Sequence, residues 1–223
     1  MTGADHHYLA RVLRLRAGDS VVLFDGAGAE CDARLERVGE RSSALRIEAR
    51  RKAPAARGPA ITLLMGLLKG DKMDLVVQKA TELGAARLVP VVTSRSVAKT
   101  DARRPRWLKI AREAARQSGR ADLPELGPVT DLHEALAGAP KDALRLMFWE
   151  EARDRPLRGA LPSAPPPAVV LAIGPEGGFS AEEVAVARTH GFVLVGLGAR
   201  TLRAETAALA AVVLLSHALG ELG

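Results

Sequence analysis

The hydrophobic pattern of the chain changes character once, across Arg50–Pro59, and that switch limits the fold more than any other feature. Before it, Tyr8–Arg16, Val21–Phe24, Cys31–Val38 and Ala44–Arg50 read as short strands, separated by turns at Gly18-Asp19, Asp25-Gly26 and Gly39-Glu40. Closely spaced strands of this kind predict a small β-barrel or sandwich. Arg50–Pro59 is charged, rich in proline and alanine, and without apolar periodicity, as in a linker. The expected division is residues 1–58 and 59–223.

Past the linker, apolar strands alternate with helices: Ile61–Leu67, a helix over Asp71–Leu83, Arg87–Val92, and a helix around Trp107–Ser118. Alternation of this kind predicts an α/β fold with a parallel sheet. In the first helix Asp71 is placed to cap, Met73, Val76, Val77, Ala80 and Leu83 share the core face, and Gly84 ends it. Gln78 and Glu82 fall on the opposite face. Further strands are expected at Leu144–Trp149, Val169–Ile173 and Phe192–Val195, then an apolar helix from about Glu205 to Leu219. Leu209, Val212, Val213, Leu214 and Leu215 make that helix too hydrophobic for full exposure, so it enters a core or a dimer face.

Composition narrows the partners. The net charge is +6, and 25 of the 32 basic residues are arginine, which favours a polyanion bound through phosphate contacts. Lys99–Arg120 carries eight basic and two acidic residues, with Arg112 and Arg116 one helical turn apart. This is the leading expected RNA-facing surface, with Gln117 and Arg120 beside it. Arg11, Arg14 and Arg16, read as alternating along a strand, and the cluster Arg46, Arg50, Arg51 and Lys52 add a second basic region. An aromatic content of 3% disfavours single-strand recognition by base stacking and leaves folded RNA, held by phosphate and shape contacts. Cys31 is the only cysteine, and His6 and His7 lie in no cluster with metal spacing, so no disulfide and no metal site is expected. No apolar run is long enough to be a signal core or a membrane span, which leads to the expectation of a soluble, cytoplasmic protein.

Two glycine turns carry the chemistry. Gly174–Phe179 follows a strand and precedes Ser180-Ala181-Glu182-Glu183, where Ser180 and Glu183 have the spacing of a reciprocal helix cap. Such a turn lets a ligand approach the main chain, and equally serves as a plain structural turn. No Gly-Lys-Ser or Gly-Lys-Thr follows, so it is not a phosphate loop of the Walker type. Gly196–Thr206 also joins a strand to a helix, but it lacks the third glycine of the dinucleotide fingerprint and only one helix remains after it. Two such turns after successive strands predict one composite pocket for a nucleoside-like ligand.

Gly174-Pro175-Glu176-Gly177-Gly178 and Leu197-Gly198-Ala199-Arg200-Thr201-Leu202-Arg203-Ala204-Glu205-Thr206-Ala207 resemble the paired carboxyl-terminal signatures of the RsmE family of 16S rRNA uridine-N3 methyltransferases, of the SPOUT or α/β-knot class. The resemblance continues through Gln78–Gly84, Glu113–Arg120, His7–Arg14 and Leu23–Gly26, in order along nearly the whole chain. It implies a PUA-like β-barrel that binds RNA, followed by a trefoil-knotted methyltransferase domain in a homodimer acting on 16S rRNA of the small ribosomal subunit. It also implies S-adenosylmethionine as cofactor, with S-adenosylhomocysteine as product. By the same match the cofactor residues are Ile173, Gly174, Pro175, Glu176, Gly177, Gly178, Leu197, Gly198, Leu202 and Arg203, with Met147, Phe148 and Trp149 as a third wall or as plain core.

Uridine N3 carries a proton at neutral pH and must lose it before or during attack on the methyl group. Arg203 is the candidate to stabilise the developing anion, and Glu205 or Glu176 to accept the proton; Glu205 can equally cap the last helix and Glu176 order its turn. A methyltransferase for another RNA position and a non-catalytic RNA-binding or assembly protein remain as alternatives. A dinucleotide enzyme is disfavoured by the missing fingerprint.

Overall fold

A computed structural model describes residues 1–53, 58–96 and 103–222. Residues 54–57 of the expected linker, and Lys99–Ala102 at the start of the basic segment, lie outside the described residues. The chain separates into two compact units, Met1–Ala55 with Gly119–Asp122, and Ala56–Ser118 with Leu123–Gly223.

The first unit opens with helix α1 (Gly3–His7), which runs into a wider helical turn over Tyr8–Val12. This corrects the strand expected over Tyr8–Arg16. Tyr8, Leu9, Val12 and Leu13 recur at the three-to-four-residue spacing of a helix face rather than at the spacing of two that a strand requires. Leu9 is buried, the Leu13 N–H donates to the Tyr8 carbonyl at 2.9 Å, and Arg14 ends the turn at φ 56°. Arg11, Arg14 and Arg16 are exposed but do not alternate along a strand. His6, buried at 6% exposure, fastens this segment: its Nε2–H donates to the Glu40 carbonyl at 3.2 Å, and Ser43 Oγ meets Nδ1 at 2.9 Å.

Strands β1 (Ser20–Phe24), β2 (Ala29–Val38) and β3 (Ser43–Lys52) form an antiparallel three-stranded sheet in sequence order. β3 therefore runs past the expected strand end at Arg50 and takes in Arg51 and Lys52, which the sequence assigned to the linker. Across this sheet Arg46 pairs with Glu36 at 2.8 Å and Arg51 with Glu30 at 2.8 Å, so half of the expected basic cluster is neutralised within the protein. Gly119–Asp122 joins this unit through bridges from Asp122 to Gly26 and Ala27.

The second unit is a parallel sheet whose strands are β4 (Ala60–Gly66), β5 (Arg87–Val92), β6 (Glu125–Leu126), β7 (Thr130–Asp131), β8 (Leu144–Phe148), β9 (Ala168–Ile173) and β10 (Val193–Val195). Their order is β10-β8-β9-β4-β5-β6, with β7 pairing β5. Successive side chains on each strand enter opposite cores. Val169, Leu171 and Ile173 of β9 pack with α2 (Lys72–Glu82), α3 (Arg104–Ser118) and α6 (Ala204–Ala218), while Val170 and Ala172 pack with α4 (Leu132–Ala137) and α5 (Ala181–Thr189). Burial on both faces is why these strands read as continuous apolar runs.

The same alternation separates Leu146 and Phe148 of β8 from Met147, which faces the α4/α5 core. Asp74, on the buried face of α2, ties α3 in place by accepting from the Trp107 indole N–H at 3.1 Å and the Arg106 Nε–H at 2.6 Å. No helix of the described residues is long and apolar enough to cross a membrane.

Candidate functional site

Three neighbouring strands, β10, β8 and β9, release loops at their carboxyl ends, where open α/β sheets bind ligands. The loops enclose a cavity of about 470 Å³. Its wall takes Phe148 from the end of β8 and Trp149, Glu150 and Arg153 from the loop after it, Ile173 from the end of β9 and Gly174, Pro175, Glu176, Gly178 and Phe179 from its loop, and Gly196 through Gly198 with Arg200 through Arg203 from the β10 loop. Ala204 and Ala207 of α6 and Lys72 of α2 complete it.

Local structure explains this convergence. The β8 and β10 loops touch directly: a Cβ on Gly196 would lie 2.4 Å from the Ala152 carbonyl oxygen, so only glycine lets the two main chains come this close. The Gly196 N–H donates to Arg155 O at 2.9 Å, and the Trp149 N–H to Val195 O at 3.0 Å.

The β9 loop is held on several sides. Ser180 and Glu183 form the expected reciprocal cap at the start of α5, and the spare oxygen of Glu183 accepts from the Ser94 N–H at 2.7 Å. Arg95 donates to the Gly177 carbonyl at 2.6 Å. Glu176 accepts from Lys72 Nζ at 2.8 Å and from the Lys69 N–H at 3.2 Å. Burial pushes the Glu176 carboxyl up, but the Lys72 and main-chain hydrogen bonds outweigh it and leave the group below the usual carboxylate range. Glu176 is thus ionised and engaged near neutrality, which suits a group that orders its turn.

Of the residues expected at the cofactor, Trp149, Ile173, Gly174, Pro175, Glu176, Gly178, Leu197, Gly198, Leu202 and Arg203 line the cavity. Gly177 and Met147 do not. The Gly177 Cα faces Arg95, and Met147 is a core residue on the far face of the sheet. Glu205 is not in the wall either. Ala204 and Ala207 present one helical face to the cavity and Glu205 lies about 100° around the axis from Ala204; it is buried at 8% exposure, and its Oε2 has no hydrogen-bond partner among the described residues. Sequence reasoning missed Lys72, Glu150, Arg153 and Arg200; the signal for Glu150 and Arg153 was their position just after β8, where a third loop must face the other two.

Among the basic residues expected on α3, many are committed within the protein. Arg106 pairs with Asp74, Arg103 with Asp71, and Arg116 with Glu113 at 3.3 Å, while beyond the helix Arg120 pairs with Asp122 at 2.7 Å. Lys109 and Arg112 are exposed and have no ion-pair partner among the described residues, and Gln117 is exposed beside them.

The sequence matches the model of an RNA methyltransferase domain over residues 56–216 and that of an RNA methyltransferase PUA domain over residues 2–48. The Ribosomal RNA small subunit methyltransferase E of Bacillus subtilis is 33% identical, over 97% of this chain and 89% of its own length. That of Synechocystis is 36% identical, over 93% of this chain and 69% of its own length. The crystal structure of the Neisseria gonorrhoeae enzyme of the same name, bound to S-adenosyl methionine, has a TM-score of 0.90 at 32% identity, covering 98% of this chain and 90% of that one. Family model, whole-length identity and fold agree, and the chain belongs to the ribosomal RNA small subunit methyltransferase E family.

Proposed function

We propose that the chain methylates ribosomal RNA of the small subunit with S-adenosylmethionine as donor, and that the acceptor is N3 of a uridine in 16S rRNA. The observation carrying this reading is the cavity at the ends of β8, β9 and β10, in a chain that shares its fold and 32% identity with a relative solved with that cofactor. The wall fits such a group. It combines the flat side chains of Phe148 and Trp149, the main chain of Gly174, Gly178 and Gly198, and charged groups of both signs. Bound there, S-adenosylmethionine supplies a methyl group on a positively charged sulfur.

The chain's own residues have distinct tasks. The glycine loops and Leu197 and Leu202 exclude water from the cofactor, and Phe148 and Trp149 orient its planar base. Arg203, in the wall at the start of α6, stabilises the negative charge that develops on the uridine. Glu176 orders its loop through Lys72. Glu205 lies in the first turn of α6, outside the wall, and the N3 proton is released to water.

In this reading residues 1–58 are a PUA-like barrel that binds RNA and residues 59–223 a knotted SPOUT domain; the domain matches over residues 2–48 and 56–216 support the division. Arg11 and Arg14 in the first unit, and Arg112, Arg116, Gln117 and Arg120, contact RNA phosphates. The exposed Val213 and Leu214 of α6, at 39% and 46%, support a homodimer that covers them. Work on ribosomal RNA makes the cytoplasm the compartment.

Titration calorimetry of the purified protein with S-adenosylmethionine is the first test: micromolar binding is expected, and no binding would remove the methyltransferase reading. Mass spectrometry of ribosomal RNA from a strain without the gene tests the acceptor, with loss of N3-methyluridine from the small-subunit RNA expected and its persistence refuting the assignment.

A further inference from the structure

Inside the cavity the charged groups are not equivalent. Lys72 and Glu176 neutralise one another. Glu150 and Arg153, three residues apart on the β8 loop, both line the cavity and are both exposed, yet no ion pair joins them and neither has an ion-pair partner elsewhere among the described residues. Their link is through the main chain, where Arg153 Nε donates to the Glu150 carbonyl at 3.2 Å, leaving the two terminal guanidinium nitrogens and the Glu150 carboxylate uncommitted.

The Glu150 carboxylate also has a defined seat. It lies against Gly178, with Oε1 2.4 Å from the point a Cβ there would occupy, and Gly178 holds a left-handed φ of 69°. The β8 loop thus brings one anion and one cation, unpaired with each other, to the wall of the same cavity.

A carboxylate and a guanidinium that face one cavity without pairing complement a ligand group that itself bears both charges close together. An α-amino acid zwitterion is such a group: its ammonium donates to a carboxylate, and its own carboxylate accepts a forked pair of hydrogen bonds from an arginine. A ribose diol would use the carboxylate but leave the guanidinium idle, and an RNA phosphate would use the guanidinium but be repelled by the carboxylate.

We propose that Glu150 and Arg153 form the clamp for the amino acid end of the cofactor, Glu150 taking the α-ammonium and Arg153 the α-carboxylate. This rests on the proposed cofactor, and it gives the β8 loop the task of fixing the methionine end while the glycine loops hold the nucleoside.

The test is titration calorimetry of wild type, Glu150→Gln, Arg153→Gln and the control Glu151→Gln, an exposed neighbour outside the wall. The ligands are S-adenosylmethionine, S-adenosylhomocysteine and 5′-methylthioadenosine, which lacks the amino acid. The clamp predicts that each cavity variant binds the first two about tenfold more weakly or worse, as expected for loss of a charge-assisted hydrogen bond. Affinity for 5′-methylthioadenosine should stay within about twofold of wild type, with Glu151→Gln unchanged throughout.

Equal weakening for all three ligands would move the carboxylate to the ribose and overturn the clamp. Unchanged binding with slower methylation would make Glu150 a proton acceptor and overturn it as well. If wild type binds none of the three, it is the cofactor assignment that fails. Circular dichroism on each variant separates a lost contact from a lost fold.

Discussion

The two glycine loops are built differently although their sequences look alike. The β9 loop is fixed before any ligand arrives: Glu176 to Lys72, Arg95 to the Gly177 carbonyl, the Ser180–Glu183 cap, and the Gly178 N–H to Pro175 O at 2.9 Å. The β10 loop is anchored at its two ends, by Gly196 to Arg155 and by Arg203 where α6 begins, and residues 197–202 make no hydrogen bonds among the described residues. One half of the cavity is therefore preorganised, and the other must take its order from what it binds. Preorganisation lowers the entropy lost on binding, whereas an unanchored segment lets substrate enter and product leave.

The sharpest way to break this contrast is Gly178→Val. A side chain there meets the Glu150 carboxylate and forces a β-branched residue into a left-handed conformation. Stability should fall by about 2 kcal/mol or more, and cofactor binding should disappear in calorimetry. A valine variant that binds normally would show that the β9 loop is not rigid.

Hydrogen exchange measures the contrast directly. Ligand at one hundred times its Kd stabilises the folded state by about 2.7 kcal/mol, and the added protection should concentrate on residues 197–203 rather than on 174–179. Equal gains in both loops would mean that both are shaped by the ligand.

Glu176→Gln probes the anchor itself. The Glu176 carboxyl sits below its ordinary range in the folded state, so its contribution is present above the unfolded-state pKa and is lost as pH falls through the lower folded-state value. At neutral pH the glutamine variant should be less stable by about 0.5 kcal/mol, since the partners are partly exposed. The deficit should shrink on acidification. A deficit that grows at low pH would contradict the assigned ion pair.

The smallest effect is expected at Arg200, exposed on the β10 loop. Arg200→Ala should leave stability within about 0.5 kcal/mol of wild type in denaturant titration. A larger loss would reveal an anchor in a loop that has none between its ends.

Strands β4, β5, β8, β9 and β10 and helices α2, α3 and α6 were legible because long apolar strands and amphipathic or apolar helices carry strong periodicity, whereas β6, β7 and α4 are too short to show a period. The Ser180–Glu183 cap was legible because it is a local rule. Tyr8–Val12 folds as a helical turn, in keeping with the three-to-four-residue spacing of its apolar residues, and burial of Leu9 and His6 holds it there. Met147 was placed with its neighbours because sequence adjacency hides the alternation that sends Met147 and Phe148 to opposite faces. Glu150 and Arg153 stood in no recognisable motif. Their meaning comes from Gly178, a residue of another loop, and from the partners they lack, which only the folded chain reveals.

Transfer of a deuterated methyl group reads the proposed reaction itself. Small ribosomal subunits from a strain lacking the gene are incubated with the protein and labelled S-adenosylmethionine, and their RNA is digested and analysed by mass spectrometry. Labelled N3-methyluridine should form with wild type and not with Gly178→Val. No labelled nucleoside, or label on any other base or atom, would rule out uridine-N3 methylation by this protein.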